Sequence, residues 1–507
     1  MYKFNFLNIF KDTVNKNKFK IGLIDIDNKK YSFNYLDIQS DKLGTFLEKY
    51  KKEVDIIAID SEKNLNTIIA FLACLKIGLP YFFLDINLPK NRIKDIIRKT
   101  KCKFVITEQK ISFAKKISVK KSRSIKKISY TSCNSDKTAY VMFTSGSTGS
   151  PKGAVISQQS VINFVSWCKE SFLLDKNDIF SQLNPLYFDN SVFDLYNSML
   201  HGNTLVLIPS LDINDPLKLL HKIKKHKCTV WFSTPSLLIY FINFNLLNKD
   251  KFKSIKKIIF GGEGFPKTKL KILFKNLKNK LFYNVYGPTE CTCICSRYLI
   301  SKKDFSNNYN LSKSIYAPIG SIAENFDYKI VDNNLRKVKK GQVGELILYG
   351  PNVAYGYIGD KVNTDKNFTI NNNNINNQRG YKTGDLVKES ELNKQLFFIG
   401  RNDTQIKHMG YRIELNELEI VLNKFSSIKE TCVFYLKDKN KTYGKIISVI
   451  STEQEIKKDE IYSFIKKYLP KYFLPQEVFF VKDLPKNFNG KIDRTLIKKN
   501  YEKKIRF

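Results

Sequence analysis

The sequence lacks both a histidine cluster and a cysteine framework. It has four histidines, His201, His221, His226 and His408. Their positions show no spacing typical of metal ligands. The nine cysteines are odd in number and, apart from the run Cys291–Cys295, they are scattered along the chain. This pattern excludes a small secreted domain held by disulfides and indicates a reducing compartment.

The sequence also lacks an apolar run long enough to cross a membrane. The longest candidate, Ile68–Leu84, contains Lys76, Gly78 and Pro80, so it predicts a buried helix, a turn and a strand. The opening residues, MYKFNFLNIFKD, have no unbroken apolar core of the kind found in signal peptides. We therefore expect a cytoplasmic protein without membrane insertion.

Acidic residues are few, with 48 Asp and Glu against 86 Lys and Arg, for a net charge of +38. Such an excess first suggests a nucleic-acid or anionic-membrane partner. The excess is spread along the chain, however, and only Lys115–Lys127 is a basic run. A solvated lysine-rich surface explains this better than a nucleic-acid interface. We expect no nucleic-acid partner, although the positive field would favour an acidic protein.

The 507 residues allow two to four domains at roughly 150 residues each. Short apolar segments (Val54–Ala58, Tyr81–Leu84, Phe104–Ile106) alternate with amphipathic ones (Leu65–Lys76, Arg92–Lys99). This alternation predicts an α/β fold with layered sheets, helices and parallel strands. The segments Lys115–Asp136 and Asn371–Asn377 are predicted to be a charged connector and a surface loop.

The pattern of predicted elements changes near residue 400, where a polar stretch is followed by a compact αβ pattern. We place a domain boundary at Asn402–Asp403, which gives a large domain over 1–402 and a small α+β domain over 403–507. One helix of the small domain is well signalled. Asn416 is its predicted N-cap, and one apolar face follows at Leu418, Val421, Leu422 and Phe425.

A predicted strand, Tyr140–Phe143, leads into a glycine-rich loop, Thr144–Gly153, which reads TSGSTGSPKG. Small residues let backbone N–H groups approach phosphate oxygens, and hydroxyls and a lysine add donors and charge. The loop therefore suits a polyphosphate. Its spacing does not match the P-loop NTPase motif, because Lys152 precedes its glycine. An ordinary Ser/Gly surface loop is the alternative.

This loop resembles the signature loop of the adenylate-forming enzymes, which include acyl-CoA ligases, luciferases and amino-acid adenylation domains. Further blocks occur in the order typical of that family: Tyr187–Tyr196 (YFDNSVFDLY), Phe260–Gly264 (FGGEG), Asn284–Glu290 (NVYGPTE), Tyr381–Leu386 (YKTGDL), Gly400–Glu414 (GRNDTQIKHMGYRIE) and Asn489–Arg494 (NGKIDR). The first and last of these blocks resemble the amino-acid-activating branch. Val230–Leu238 (VWFSTPSLL) and the overall length resemble the stand-alone D-alanine–carrier-protein ligase subgroup.

The resemblance implies a reaction in two halves. An amino-acid carboxylate attacks the α-phosphorus of ATP, giving an aminoacyl-adenylate and pyrophosphate, and the phosphopantetheine thiol of an acyl carrier protein then takes the acyl group. The implied ATP-site residues are Thr144, Ser145, Gly146, Thr148, Lys152, Asn284, Val285, Tyr286, Gly287, Pro288, Thr289, Asp385, Arg401 and Lys491. The implied amino-acid site comprises Asp189, Asn190, Phe193, Ser236, Ile259, Gly261, Val285, Cys293, Ile294 and Lys491. We expect a monomer.

The resemblance also assigns individual roles. Lys491 would reach the substrate carboxylate and the α-phosphate together, with Thr289 beside that phosphate and Glu290 holding Mg²⁺. Asp385 would accept the ribose hydroxyls. Asp403 would be the hinge about which the small domain rotates between the two half-reactions.

Three further residues would complete the ATP site and its surroundings. By the same resemblance Tyr286 would lie against adenine and Arg401 near the ribose. Arg412 would be available to phosphate or to the domain interface.

Asp189 would bind the α-ammonium of the substrate, which favours amino acids over fatty or aryl acids. The alternative is an N-cap or turn aspartate. The sequence departs from the D-alanine subgroup, which has Cys in place of Gly261, a hydrophobe in place of Asn190 and Thr in place of Val285. We expect a small uncharged amino acid of either handedness, or glycine.

Other hypotheses remain open from the sequence. Cys291, Cys293 and Cys295 would share one face of a strand and could bind a metal, although a strand leaving the nucleotide site, with Cys293 lining the pocket, fits their spacing better. An acyl- or aryl-CoA ligase shares the first half-reaction. A basic, non-enzymatic nucleic-acid-binding protein is the remote alternative.

Overall fold

A computed structural model describes residues 5–121, 136–146, 149–247, 249–306, 316–371, 378–437, 444–487 and 492–503. Thr148, Lys491, residues 122–127 of the Lys115–Lys127 run and the asparagine run after Asn371 lie outside the described residues. The chain divides into two compact units. The first comprises Met1–Ile86, Lys99–Phe143 and Gly153–Asn402, and the second comprises Asn87–Arg98, Thr144–Lys152 and Asp403–Phe507.

The described helices are α1 Phe6–Asn17, α2 Phe33–Glu48, α3 Leu65–Ile77, α4 Lys90–Thr100, α5 Gln158–Ser171, α6 Asn190–His201, α7 Ser210–Ile213, α8 Pro216–Lys225, α9 Pro235–Asn243, α10 Lys267–Asn276, α11 Lys361–Asn367, α12 Leu415–Leu422, α13 Lys458–Lys466 and α14 Arg494–Glu502. None of these is both long and apolar enough to cross a bilayer. Short 3₁₀ turns occur at Val119–Lys121, Thr289–Cys291, Lys302–Phe305 and Lys471–Phe473.

The strands of the first unit are β1 Ile21–Ile24, β2 Lys30–Ser32, β3 Ile57–Asp60, β4 Tyr81–Leu84, β5 Phe104–Ile106, β6 Lys115–Ile117, β7 Thr138–Thr144, β8 Lys152–Ser157, β9 Ile179–Gln182, β10 Thr204–Leu207, β11 Val230–Ser233, β12 Lys257–Gly261, β13 Leu281–Tyr286, β14 Ser296–Leu299, β15 Ser321–Ile322, β16 Asp327–Val331, β17 Val343–Tyr349, β18 Phe368–Asn371, β19 Gln378–Glu389 and β20 Leu396–Arg401. The second unit has β21 Gln405–His408, β22 Tyr411–Glu414, β23 Glu430–Leu436, β24 Lys445–Ser451 and β25 Glu477–Val481.

Three sheets build the first unit. One has the order β6-β5-β3-β4-β7-β8, and a second has the order β15-β14-β13-β12-β11-β9-β10-β1-β2 with a parallel centre. The third is antiparallel, with the order β16-β17-β19-β18 and with β20 paired to β19. The second unit contains the hairpin β21-β22 and the sheet β23-β24-β25. The predicted α/β class is confirmed.

Helix α3 illustrates how the sequence dictates these elements. The Asn64 side chain caps its start by accepting from the N–H of Thr67, and Gly78 ends it in the left-handed region with φ 65°. Every residue from Thr67 to Ile77 is buried, so the helix is apolar around its whole circumference. The buried Lys76 ammonium is neutralised by Asp37 (2.5 Å) and Asp41 (2.7 Å) of α2.

Several local expectations were wrong. The strand predicted at Val54–Ala58 lies at Ile57–Asp60, and Lys115–Ile117 is a strand paired to β5, not a connector. The helix predicted to begin after Asn416 begins at Leu415, with Glu414 as its N-cap. The Glu414 side chain makes no capping bond, because it accepts from the amide of Gln405 instead (2.9 Å).

Candidate active site

The ends of four parallel strands place the predicted site residues of the first unit. Strands β9, β11, β12 and β13 are neighbours, and their carboxyl ends meet at one edge of the sheet. Segments leaving this edge carry Asp189, Ser236, Glu263 and Thr289. Ligands in open α/β sheets bind outside the carboxyl ends of strands, so this edge is the candidate active site.

Asp189 and Thr289 are brought together from distant parts of the chain. The Thr289 hydroxyl donates to Oδ2 of Asp189 over 2.5 Å. Asp189 is the N-cap residue of α6 and lies in a turn, although its side chain makes no capping hydrogen bond. Asp189 and its neighbour Asn190 are half-buried.

A second cluster joins Tyr286, Asp385 and Arg401. The Tyr286 hydroxyl donates to Oδ2 of Asp385 (2.5 Å), and Nη1 of Arg401 donates to Oδ1 (2.6 Å) and to the carbonyl of Thr383 (3.1 Å). Burial, together with the charge of Asp385, raises the pKa of Tyr286 well above its ordinary value, so the phenol keeps its proton. Each carboxylate oxygen can accept more than one hydrogen bond, so Asp385 retains acceptor capacity for a ligand hydroxyl.

Glu290 is fully buried, and its Oε1 accepts from the Tyr357 hydroxyl over 2.7 Å. That hydroxyl also lies 3.3 Å from the hydroxyl of Tyr381. A hydroxyl donor fixes the orientation of the carboxylate. Within the described ranges, no group of three or more His, Cys, Asp or Glu side chains is arranged to hold a metal ion.

The turn after β13 is tightly constrained. A Cβ on Gly287 would lie 2.2 Å from the carbonyl oxygen of Cys293, so only glycine fits there. The strand expected over the three cysteines was wrong: Thr289–Cys291 is a 3₁₀ turn, and Thr292 (φ 58°) and Cys293 (φ 74°) are left-handed. The thiols therefore do not alternate as strand residues would. Burial raises the pKa of Cys293 well above its ordinary value.

The predicted pocket walls differ in their surroundings. Gly261 pairs with Val285 across β12 and β13, and a Cβ on Gly261 would lie 2.6 Å from both Cγ2 and the carbonyl oxygen of Val285. The volume that a side chain at position 261 would fill is thus taken by Val285. Phe193 is fully buried in the core, with its ring centroid 5.1 Å from that of Phe232. The core residues Ile259 and Ile294 are buried as well.

Other predicted residues are tied to neighbouring segments. The Ser236 hydroxyl and N–H both donate to Glu263. The Asn284 amide donates to the carbonyl of Pro318 over 2.7 Å. Pro288 precedes the turn that carries Thr289. In the second unit, Asp403 accepts from the N–H of Gln405 (3.1 Å), which is a turn geometry.

Within the second unit, the glycine-rich segment contacts the segment after residue 403. The Ser145 hydroxyl donates to the carbonyl of Arg412 (2.8 Å), and the N–H of Gly146 donates to Oε2 of Glu417 (3.3 Å). Glu417 also forms a buried ion pair with Arg92 (2.6 Å). The loop N–H predicted to meet phosphate is therefore bonded to a carboxylate in this structure. In the same stretch Thr144 is half-buried and Lys152 is buried.

Sequence reasoning missed four residues of these clusters: Tyr357, Glu263, Glu417 and Arg92. Glu263 lies inside the quoted FGGEG block, and Glu417 follows the GYRIE block by three residues, so both had a local signal. Tyr357 and Arg92 stand in no recognised block. Only the folded chain identifies them.

Comparison with protein families finds two matches in this chain. Residues 10–358 match the AMP-binding enzyme family, and residues 417–491 match the AMP-binding enzyme C-terminal domain. Curated relatives span nearly the whole chain. The D-alanine–D-alanyl carrier protein ligase of Bacillus licheniformis is 30% identical over 487 residues, covering 93% of this chain and 95% of the relative. The ligase of the same name from Bacillus cytotoxicus is 29% identical, covering 92% and 93%.

Solved structures share the fold. The Vibrio cholerae adenylation domain AlmE, in complex with glycyl-adenosine-5'-phosphate, superposes with a TM-score of 0.82 at 22% identity and covers 97% of both chains. PA1221, a nonribosomal peptide synthetase protein with adenylation and carrier domains, gives 0.83 at 21% identity and covers 97% of this chain and 84% of its own.

Proposed function

This chain belongs to the AMP-binding enzyme family, and on that premise we propose that it activates an amino acid with ATP and transfers it to a carrier protein. In the first half-reaction the amino-acid carboxylate displaces pyrophosphate from the α-phosphorus, forming an aminoacyl-adenylate. In the second, the phosphopantetheine thiol of an acyl carrier protein attacks the acyl carbon and releases AMP. The enzyme is a ligase that forms an acid–thiol bond.

The observation that carries this proposal is the hydrogen bond between Thr289 and Asp189. It joins a half-buried carboxylate, suited to an ammonium ion, to the turn after β13 that would meet the α-phosphate. An amino acid held by its ammonium at Asp189 would present its carboxylate toward that turn. Alignment of two reactants in this way contributes to catalysis by removing translational and rotational freedom before the reaction.

We assign nucleotide binding to the cluster of Tyr286, Asp385 and Arg401. Asp385 would accept the ribose hydroxyls, and its two protein donors hold the carboxylate in place for them. Tyr286 would lie against the adenine base. Gly287, Pro288 and Val285 would shape the backbone around the nucleotide.

Mg²⁺ is implied by the family, and the residues fit it. Mg²⁺ uses one or two carboxylates together with substrate phosphates, and Glu290 offers one carboxylate oriented by Tyr357. Glu290 would therefore hold the ion, which neutralises phosphate charge when bound.

The substrate proposed is a small, uncharged amino acid. Two relatives are named as D-alanine ligases, and AlmE was solved with a glycyl-adenylate. The absence of a side chain at Gly261 does not enlarge the site, because Val285 fills that volume. We therefore propose a site sized for glycine or for either enantiomer of alanine, with Asn190, Ser236 and Cys293 at its wall.

The remaining assignments rest on the sequence blocks. Lys491 would neutralise the carboxylate and the α-phosphate as they approach. Lys152 and the hydroxyls of Thr144, Ser145 and Thr148 would bind the departing pyrophosphate. We propose that Asp403 is a hinge that lets the small domain withdraw Lys491 before the thiol arrives.

ATP–pyrophosphate exchange with a panel of amino acids tests the proposal. We expect exchange with glycine or alanine, and Asp189→Asn should raise the amino-acid KM by roughly 100-fold while leaving the ATP KM within about twofold, because the substrate ammonium loses its counter-charge. If no amino acid supports exchange and the protein instead forms a CoA thioester from an acyl or aryl acid, the CoA ligase alternative would be favoured. Heparin retention without ATP consumption would favour nucleic-acid binding.

Separate assays of the two half-reactions test Lys491. The Lys491→Ala variant should lose most of the adenylation rate yet transfer a preformed aminoacyl-adenylate to the carrier protein at nearly the normal rate. Lys486→Ala, which removes another lysine of the same region, is the matched control. Equal losses in both half-reactions would contradict the role assigned to Lys491.

A further inference from the structure

Lys63 is a buried lysine that the proposed reaction does not use. It lies just after β3 and is 5% exposed. Its ammonium donates to the carbonyl oxygens of Gln182 (3.1 Å) and Leu183 (2.9 Å), where β9 ends. The chain that leaves this point runs directly to Asp189. The Lys63 ammonium thus binds two successive carbonyl groups at the start of the segment that leads to Asp189, the carboxylate proposed to bind the substrate.

Asp194 lies at the other end of that segment, inside α6, and is fully buried. Burial raises the pKa of Asp194 well above its ordinary value, and the charge of Lys63 and a hydrogen bond from Asn184 oppose this shift. Burial likewise lowers the pKa of Lys63 to about 7, and the charge of Asp194 opposes that shift. The two groups therefore act on one another across the interior.

A buried ammonium is costly to desolvate, so its geometry is fixed by the few acceptors that it has. Here those acceptors are the main-chain oxygens of Gln182 and Leu183. Movement of Lys63 would release the end of β9, from which the chain runs to Asp189.

We propose that Lys63 is a positioning residue for the amino-acid site, which holds the main chain at Gln182 and Leu183, where the segment to Asp189 begins, so that Asp189 faces the substrate ammonium. This inference rests on the proposed function. Lys63 does not touch the substrate and acts only through the segment that it holds. Its loss therefore affects amino-acid recognition more than nucleotide recognition.

The test is steady-state ATP–pyrophosphate exchange on the full-length protein, with amino-acid and ATP KM measured separately. Lys63→Met should raise the amino-acid KM by roughly tenfold and leave the ATP KM within about twofold. Lys63→Arg should restore most of the amino-acid affinity, because a guanidinium keeps the charge and several donors. Selective rescue of this kind is not expected of a lysine that only stabilises the core.

Lys280 is the matched control. Its ammonium also donates to two carbonyl oxygens, those of Phe252 (2.7 Å) and Ile255 (2.6 Å). Lys280, however, immediately precedes β13 and lies at the far end of that strand from Tyr286. Lys280→Met should lower the unfolding midpoint without changing the amino-acid KM. An equal change of amino-acid KM in both variants would overturn the proposal.

Two outcomes separate this inference from the proposed function. A wild-type protein that exchanges with no amino acid defeats the proposed function itself. A wild-type protein that exchanges normally, with Lys63→Met altering both KM values equally or only the stability, defeats the positioning role alone. If Lys63→Met does not fold, Lys63→Gln is measured instead, because a shorter neutral side chain cannot replace both hydrogen bonds to Gln182 and Leu183. It should raise the amino-acid KM severalfold, and an unchanged value would overturn the inference.

Discussion

Gly261→Ala tests the close approach of β12 and β13 at the candidate active site. The added methyl would lie 2.6 Å from Cγ2 of Val285 and 2.6 Å from its carbonyl oxygen. Ordinary contact begins near 3.4 Å, so one of the two strands must shift by about 0.8 Å. The Val285 side chain can give way, but its carbonyl belongs to the backbone of a paired strand.

The expected cost follows from this geometry. Overpacking a well-packed site costs about 1–3 kcal/mol, and the reduced freedom of the unfolded chain returns about 0.4–1 kcal/mol on a glycine-to-alanine change. We therefore expect a net loss of about 1–2 kcal/mol of unfolding free energy. Because Val285 precedes Tyr286, a shifted β13 should also raise the ATP KM.

Tryptophan fluorescence during urea unfolding is a suitable assay. Both tryptophans, Trp167 and Trp231, belong to the first unit, so the signal reports on that unit alone. Gly400→Ala is the matched control, because a Cβ there would meet nothing within 4 Å. If Gly261→Ala proved as stable as Gly400→Ala, the steric reasoning would be refuted. Val285→Ala in the Gly261→Ala background should recover only part of the loss, since the carbonyl contact remains.

The other predictions concern charge and protonation. Asp385→Asn leaves the half-buried Arg401 without its carboxylate partner, so we expect a loss of about 2 kcal/mol in unfolding free energy. It should also raise the ATP KM more than roughly tenfold, with a small change in the amino-acid KM. Tyr286→Phe removes one donor to Asp385 and should cost about 1 kcal/mol in the same unfolding assay. The pKa of Lys63 in the folded protein is about 7, below the ordinary value of 10.5. Between these two pH values the unfolded chain binds more protons than the folded chain, so the free energy of unfolding should rise as the pH rises from 7 to 10.5. The difference between 10.5 and about 7 corresponds to about 5 kcal/mol at most. A Lys63→Met variant whose unfolding free energy has the same pH slope as that of the wild type would contradict this prediction.

Local patterns predicted the elements best where burial is complete. The strands expected at Tyr81–Leu84 and Phe104–Ile106 have those bounds in the structure, because every residue in them is apolar and buried. The neighbouring strand was misplaced because it ends on Asp60, a polar residue buried by a hydrogen bond from Thr107 (2.6 Å). No single-segment pattern reveals such a distant partner.

The sequence motifs identified most of the residues of the candidate site, but they did not predict which of those residues contact one another. The sequence pointed separately to Asp189 and Thr289, yet their hydrogen bond joins residues one hundred positions apart. It gave no sign that Tyr357 orients Glu290. It also failed at Cys293, since left-handed backbone outside glycine has no strong sequence signal.

The described cysteines provide a natural probe of unfolding, because their thiols become accessible to alkylating reagents when the chain unfolds. All eight are buried, and burial raises the pKa of the Cys102 and Cys432 thiols to about 11, so alkylating reagents should find few thiolates at neutral pH while the chain is folded. Seven of the eight lie in the first unit and Cys432 lies in the second. Alkylation followed by peptide mass mapping would therefore time the exposure of each unit independently, without any engineered label.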